Sequence, residues 1–239
     1  MNVYEAKTLK ETLNGNSYVG RGIIVGKTSD EKQAVSAYFI MGRSKNSQNR
    51  VFTKKGNEIF TEPFDVTKVE DPSLIIYSAI REIDNKLIVT NGDQTDTIYD
   101  GIKMGKTFFE ALKTREFEPD APNFTPRISA ILNFENNDFT YEMSILKSSD
   151  EVGSACARYL FSYPSLSGIG HFIHTYVTDG NPIPTFMGEP ERIKIKDDID
   201  AFTNEVWDNL DENNKISLYV LYTNLQDGTY EDRMINKNK

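Results

Sequence analysis

The 239-residue sequence has one cysteine, Cys156, and two histidines, His171 and His174. A lone cysteine forms neither an internal disulfide nor a cysteine metal centre. No run of 18 apolar residues occurs, so no helix is expected to span a membrane. Basic charge is also in short supply. The 27 Lys and Arg against 36 Asp and Glu leave a net charge of −9, a surface that repels polyanions and argues against coating DNA or RNA. Residues 1–16 are polar and mixed in charge, without the apolar stretch of a signal peptide. What the sequence does hold is 38% hydrophobic and 11% aromatic residues. That is enough for a substantial core, and it excludes a mainly disordered chain or a disulfide-stapled miniprotein. No repeat, low-complexity tract or Ser/Gly linker divides the chain, so residues 1–239 read as one domain of a soluble, acidic, cytoplasmic protein.

Strand signals dominate. Residues 18–27 are apolar and β-branched, and 34–41 answer them across a polar link. Segments 50–53 and 58–61 flank a Gly56-Asn57 turn, 74–82 and Lys86–Thr90 flank Ile83-Asp84-Asn85, and 127–134 and 139–146 flank Glu135-Asn136-Asn137-Asp138. With 155–163, 171–177 and 216–222 the count comes to about ten strands. Helix periodicity is confined to 96–115, where Ile98, Ile102, Gly105, Phe109 and Leu112 form a stripe, and to 197–209, with Ile199, Phe202, Val206 and Leu210. Runs of hairpins interrupted by one long helix and followed by another predict an antiparallel-rich α+β layer fold.

Two motifs fall short of their chemistry. Gly20-Arg21-Gly22-Ile23-Ile24-Val25-Gly26-Lys27-Thr28 has five residues after Gly20 and three after Gly22 before its Gly-Lys-Thr end. A phosphate loop needs four, followed by a helix, and Ile-Ile-Val is strand. His171 and His174 on a strand fall on opposite faces, which disfavours a shared metal. Cys156 sits among small and apolar residues and reads as an inert thiol. The Asn123-Phe124-Thr125 sequon carries no meaning without a secretion signal.

Three polar segments stand out. Residues 42–50, Gly-Arg-Ser-Lys-Asn-Ser-Gln-Asn-Arg, leave an apolar strand with many donors and no acid, which suits a phosphate or planar polar ligand and equally a solvated turn. Residues 89–96 mark a strand-to-helix junction, where Asp93, Thr95 or Asp96 either caps the helix or faces a ligand. Residues 118–127 carry Glu118, Asp120, Asn123 and Arg127 on a loop stiffened by three prolines, the rigid support that catalytic placement requires. Guanidinium forks match phosphate. Arg21, Arg50 and Arg127 are therefore candidates for phosphate contacts, with interstrand ion pairs as the competing role.

Together these residues resemble the archaeal-type inosinate (IMP) cyclohydrolases. The likeness rests on Tyr18-x-Gly20-Arg21, Gly42-Arg43-Ser44 with Asn49-Arg50, Thr90-Asn91-Gly92-Asp93-x-Thr95-Asp96, and Glu118-Pro119-Asp120 with Thr125-Pro126-Arg127-Ile128. Ile173-His174-Thr175-Tyr176, Asp179-Gly180-Asn181-Pro182 and Gly188-Glu189-Pro190 extend it. The pattern departs at Gln94, where the family has a histidine, and at Phe124, where it often has a polar residue.

The resemblance implies a four-layer αββα sandwich similar to the N-terminal-nucleophile hydrolases, without their nucleophile. It also implies ring closure of 5-formamidoimidazole-4-carboxamide ribotide to IMP and water, with no metal or organic cofactor. In that reading Arg43 and Tyr77 address the formyl oxygen and Glu118 orients or deprotonates the carboxamide. Tyr18, Ser44, Asn123, Thr125 and His174 join Arg21, Arg50, Asn91, Asp93 and Arg127 in binding substrate. Bland roles compete here too: an ordinary core position for Tyr77, and an ion pair with Arg127 for Glu118. The partner is a purine ribonucleotide, with no nucleic acid and no membrane, and a homo-oligomer is left open. A non-catalytic purine-nucleotide-binding module of the same fold is the alternative.

Overall fold

The computed structural model describes Asn2, residues 4–69 and residues 75–238. The expected strand start at Leu74 lies outside them. The described residues form thirteen strands in two antiparallel sheets. One sheet has the order β11-β10-β1-β2-β12-β13: β1 is Arg21–Lys27, β2 Gln33–Met41, β10 Ile169–His174, β11 Glu191–Lys194, β12 Lys215–Asn224 and β13 Tyr230–Asn236. The other runs in sequence order through β3 Val51–Lys55, β4 Glu58–Glu62, β5 Tyr77–Ile83, β6 Lys86–Thr90, β7 Arg127–Glu135, β8 Asp138–Ser148 and β9 Cys156–Pro164. The hairpin signals hold. Asp84, Asn136 and Asn137 take positive φ at the turns, a conformation that Asn and Asp tolerate better than most residues.

Alternation decides which residues meet. Ile23 and Val25 of β1, Tyr38 and Ile40 of β2, Tyr77 and Ala79 of β5, and Ile128 and Ala130 of β7 pack together between the sheets. Residues of opposite parity face outward. Ile24, Phe39 and Phe172 are covered by α1 (Leu9–Leu13) and by α5 (Ile199–Asn209), while Ile88 and Ile131 are covered by α3 (Gln94–Lys103) and α4 (Phe108–Leu112). Between β2 and β3, α2 (Lys45–Gln48) is a single turn. Burying an aromatic or branched aliphatic side chain contributes about 1.5–3 kcal/mol, and all three clusters are built of such side chains. The architecture is α+β, two antiparallel sheets with few helices.

Four expectations are corrected. The single helix over 96–115 is two helices, broken at Gly105, whose φ of +77° suits glycine and ends a helical run. The first strand begins at Arg21 rather than Tyr18, and β10 ends at His174 rather than Val177. Strands β11 and β13 carried no readable signal. Both are short or polar edge strands, and each contributes little alternating apolar character.

Candidate active site

A cleft of about 460 Å³ opens at one end of the sandwich, where β1, β5 and β7 begin and β2 ends. It is lined by Tyr18, Arg21, Arg43, Ser44, Asn46, Ser47, Arg50, Ile75, Glu118, Asp120, Asn123, Thr125, Tyr176 and Ile183. Both sheets contribute, so no single motif forms it.

The floor is cationic. Arg21 shares the parity of Ile23 and Val25, and Arg50 that of Phe52, so both side chains enter the layer between the sheets at its open end. Arg21 is 8% and Arg50 7% exposed. The Arg21 Nη1 reaches the Met41 carbonyl oxygen only at 3.5 Å, and the buried Arg50 Nε has no acceptor among the described residues. Burial, and then the charge of Arg21, push the Arg50 pKa down; Arg21 goes the other way, its burial outweighed by Tyr18, Glu118, Tyr38 and Tyr77. Two guanidiniums with spare donors, held close in a low dielectric, favour an incoming anion.

Beside them stands Glu118. Its residue is half-buried by exposed surface, yet protein packs densely around the carboxyl, and that desolvation raises its pKa. Arg21, Arg127 and Arg50 pull the other way, and Asp120 adds to the rise. The loop carrying it is closed by its own bonds. The Glu118 amide donates to the Thr125 carbonyl at 2.9 Å, and the Asp120 carboxylate accepts from the Thr125 amide at 2.6 Å and from the Thr125 hydroxyl. Thr125 Oγ1 also lies 2.6 Å from the Tyr176 hydroxyl. Tyr176 stacks on Tyr18, with ring centroids 5.7 Å apart, and the Arg43 guanidinium lies 5.2 Å from the Tyr18 centroid. Arg43 donates to Asp179 and to the Gly180 carbonyl, which fixes it at the rim. Ser44 caps α2, accepting from the Ser47 amide at 3.1 Å, and Asn123 Oδ1 accepts from the Ile183 amide at 3.3 Å.

Tyr77 lies below the lining, 5% exposed and two residues past Ile75, with its hydroxyl 2.8 Å from that of Tyr38. Four other expected residues are placed outside the cleft. Arg127 has the parity of Ile131, not of Ile128 and Ala130, so it faces the helix layer. There it pairs with Asp93 at 2.7 Å and donates to Gln94 Oε1 at 2.9 Å. Asp93 stands at the N-cap of α3 without capping it; its carboxylate serves Arg115 and Arg127 instead. Asn91 accepts from the Ile128 backbone amide and from Gln94 Nε2 and donates to the Pro126 carbonyl. These three and Gln94 form one network behind the Glu118 loop. His174 shares the parity of Phe172, stacks on it at 4.7 Å, and donates from Nδ1 to the Tyr176 carbonyl. His171 faces the opposite side, against Tyr141 and Tyr163.

Asp120 and Tyr176, both within the sequence motifs, belong to the lining, as do Asn46, Ser47, Ile75 and Ile183. Period-2 parity was the available signal for Arg127 and His174; nothing local distinguished Ile75 or Ile183. A cavity of about 370 Å³ at the other ends of the strands, among the turns at Asn85, Asn137 and Leu225, carries Glu82, Asp84, Glu135 and Asp138 but no arginine.

Residues 18–228 match the family described as IMP cyclohydrolase-like protein, a span that includes every lining residue. The chain is 34% identical over 120 residues to an IMP cyclohydrolase of Methanococcus aeolicus, covering 48% of this chain and 58% of that protein. It is 31% identical over 161 residues to one of Methanococcus maripaludis, covering 64% and 78%. A third, from Methanocaldococcus jannaschii, is 34% identical over 119 residues, covering 48% and 57%. Less than two thirds of the first and third relatives is thus spanned. With nearly the whole chain matched and its cleft inside the match, the protein belongs to the IMP cyclohydrolase-like protein family.

Proposed function

We propose that the cleft closes the purine ring of 5-formamidoimidazole-4-carboxamide ribotide, giving IMP and water. The observation that carries the reading is one carboxyl of raised pKa, Glu118, beside two buried guanidiniums with unused donors, Arg21 and Arg50. The names of the similar archaeal proteins support it.

The carboxamide nitrogen attacks the formyl carbon, and the carbonyl π pair moves to oxygen as the N–C bond forms. Glu118 takes the proton from nitrogen, a task for which a carboxyl with a pKa moved toward neutrality is better matched than an ordinary one. Arg21, Arg50 and the Tyr77 hydroxyl stabilise the oxyanion, which then regains the proton from Glu118. The hydroxyl leaves as water, its second proton matching the one lost from the formamido nitrogen as the C=N bond closes. Arg43 and Tyr18 at the rim, with Ser44, Asn123 and Thr125, hold the ribotide so that the two groups meet. Arg127, Asn91, Asp93 and His174 act indirectly in this scheme, by fixing the Glu118 loop and the Tyr176 backbone. Proton transfer and oxyanion stabilisation are within reach of side chains, so the scheme calls for no cofactor.

We also class residues 1–239 as one unit with the N-terminal-nucleophile hydrolase architecture, supported by the helix layers outside two sheets that share one core. Incubation with the formamido ribotide, followed by ultraviolet absorbance, tests the activity. Purine formation is expected; nucleotide binding without conversion would leave a binding module instead.

A further inference from the structure

Tyr38 is fully buried at the middle of β2, and its hydroxyl lies 2.8 Å from that of Tyr77, which reaches across from the other sheet. Either oxygen could donate, and the surroundings decide. The Phe52 ring packs on Tyr38 with centroids 5.4 Å apart and offers no acceptor in its plane. The charged groups that act on the Tyr38 hydroxyl are Arg21 and Arg50, and guanidiniums only donate. Among the described residues Tyr77 is therefore the one hydrogen-bond partner of the Tyr38 hydroxyl. Donation from Tyr77 to Tyr38 would strand the Tyr38 hydrogen in a closed core, where an unmade hydrogen bond is costly. Donation from Tyr38 to Tyr77 leaves the free hydrogen on the less enclosed phenol, because Tyr77 is 5% exposed against 0% for Tyr38 and lies two residues past Ile75, which lines the cleft.

We propose that Tyr38 is a positioning residue: it donates to the Tyr77 oxygen, so that the Tyr77 hydrogen is committed to the cleft and to the oxygen on which charge develops. The inference rests on the ring-closing reading of the cleft. Tyr38 also sharpens Tyr77 as a donor, since a phenol oxygen that accepts a hydrogen bond gives up its own hydrogen more readily. Arg21 and Arg50, being cations, stabilise the same polarisation.

The test is a double-mutant cycle on the full chain. Tyr38→Phe keeps the ring and its packing and removes only the hydroxyl. Turnover should fall roughly tenfold, the worth of about one hydrogen bond, with KM unchanged within twofold, because the interaction matters when charge develops. In a Tyr77→Phe background the same change should have no further effect, since Tyr38 acts only through Tyr77. Unchanged turnover in Tyr38→Phe, or losses that multiply in the double variant, would overturn the assignment. The ¹³Cζ resonance of Tyr77, assigned by its absence in Tyr77→Phe, reads the link without turnover. It should move when Tyr38 loses its hydroxyl. If Tyr38→Phe does not fold, 3-fluorotyrosine at position 38 makes a stronger donor of the same shape, and an unmoved Tyr77 resonance then refutes the hydrogen bond's direction. A parent protein that closes no ring, while the Tyr77 resonance still responds, would defeat the activity reading and leave the donation standing.

Discussion

In the proposed scheme, replacing Glu118 with glutamine removes the proton acceptor for the substrate nitrogen while keeping its shape. General-base help contributes about 10²–10⁴ in rate. Arg21 and Arg50 stay in place and continue to stabilise the oxyanion, so a loss of roughly 10²–10³ is expected, about 3–4 kcal/mol of barrier at 1.36 kcal/mol per tenfold. Two dependences on pH accompany it. In the parent, kcat/KM should rise with pH through the raised Glu118 pKa, because the base must be ionised; the variant should lack that limb. Stability runs oppositely. Glu118 holds its proton more tightly folded than unfolded, because burial raises its pKa. Its contribution is therefore fully present below the unfolded value near 4.5 and is lost as pH rises through the folded pKa. The Tm of Glu118→Gln relative to the parent should accordingly climb as pH rises above 4.5. Absorbance assays and thermal melts from pH 4 to 8 measure both. A folded, ribotide-binding Glu118→Gln that turns over within a few-fold of the parent, or that keeps the limb, shows that the base is elsewhere.

Arg50→Met removes one of two mutually repelling buried cations and a buried Nε that has no acceptor among the described residues. It should raise Tm by several degrees, given that apolar replacement of buried charge is often stabilising by about 1–4 kcal/mol, and cut turnover by about 10² or more; a lower Tm contradicts the account of the floor. Gly20→Ala places a Cβ 2.1 Å from Thr175 Oγ1 and 2.6 Å from the Tyr176 ring, at φ +77°. A loss of about 2–4 kcal/mol in urea unfolding is expected, with weaker ribotide binding as Tyr176 leaves Tyr18; parent-like stability rules out that crowding. His171, whose pKa burial, with the charge of Arg192, pushes down to about 4, holds its proton less tightly folded than unfolded. Its contribution is present above 6.5 and is lost as pH falls to 4, by roughly 3 kcal/mol at most. His171→Gln should flatten that acid-side decline in the urea midpoint, and an undiminished decline would assign it to other groups.

Much of this was readable residue by residue. The hairpins at Asp84-Asn85 and Asn136-Asn137 and the strands they join follow from turn chemistry and alternation, which act over a few residues. The glycine that splits 96–115 was visible as Gly105, but its helical spacing masked the break. The three polar segments were legible as segments, because dense donors and stacked prolines are local properties. Which of their side chains meet was not. Arg43, Asn46 and Arg50 reach the cleft from the first segment and Glu118, Asp120 and Thr125 from the third, whereas Asn91 and Asp93 of the second close on Arg127 behind it.

The sequence by itself determined the period-2 strands, the turns between them, the acid excess and the set of residues from which a site could be drawn. Each of these is fixed by propensity, spacing or composition within a short stretch of chain. Only the tertiary structure decided that Arg21 and Tyr38 from one sheet lie against Arg50, Tyr77 and Glu118 from the other side of the core, and that Arg127 does not. That choice depends on which strands neighbour one another and which face of each sheet turns inward, and a one-residue change of register would reverse it. Burial then does what composition cannot: the same packing that hides Glu118 raises its pKa and leaves the Arg50 Nε without an acceptor among the described residues, turning ordinary side chains into a candidate site.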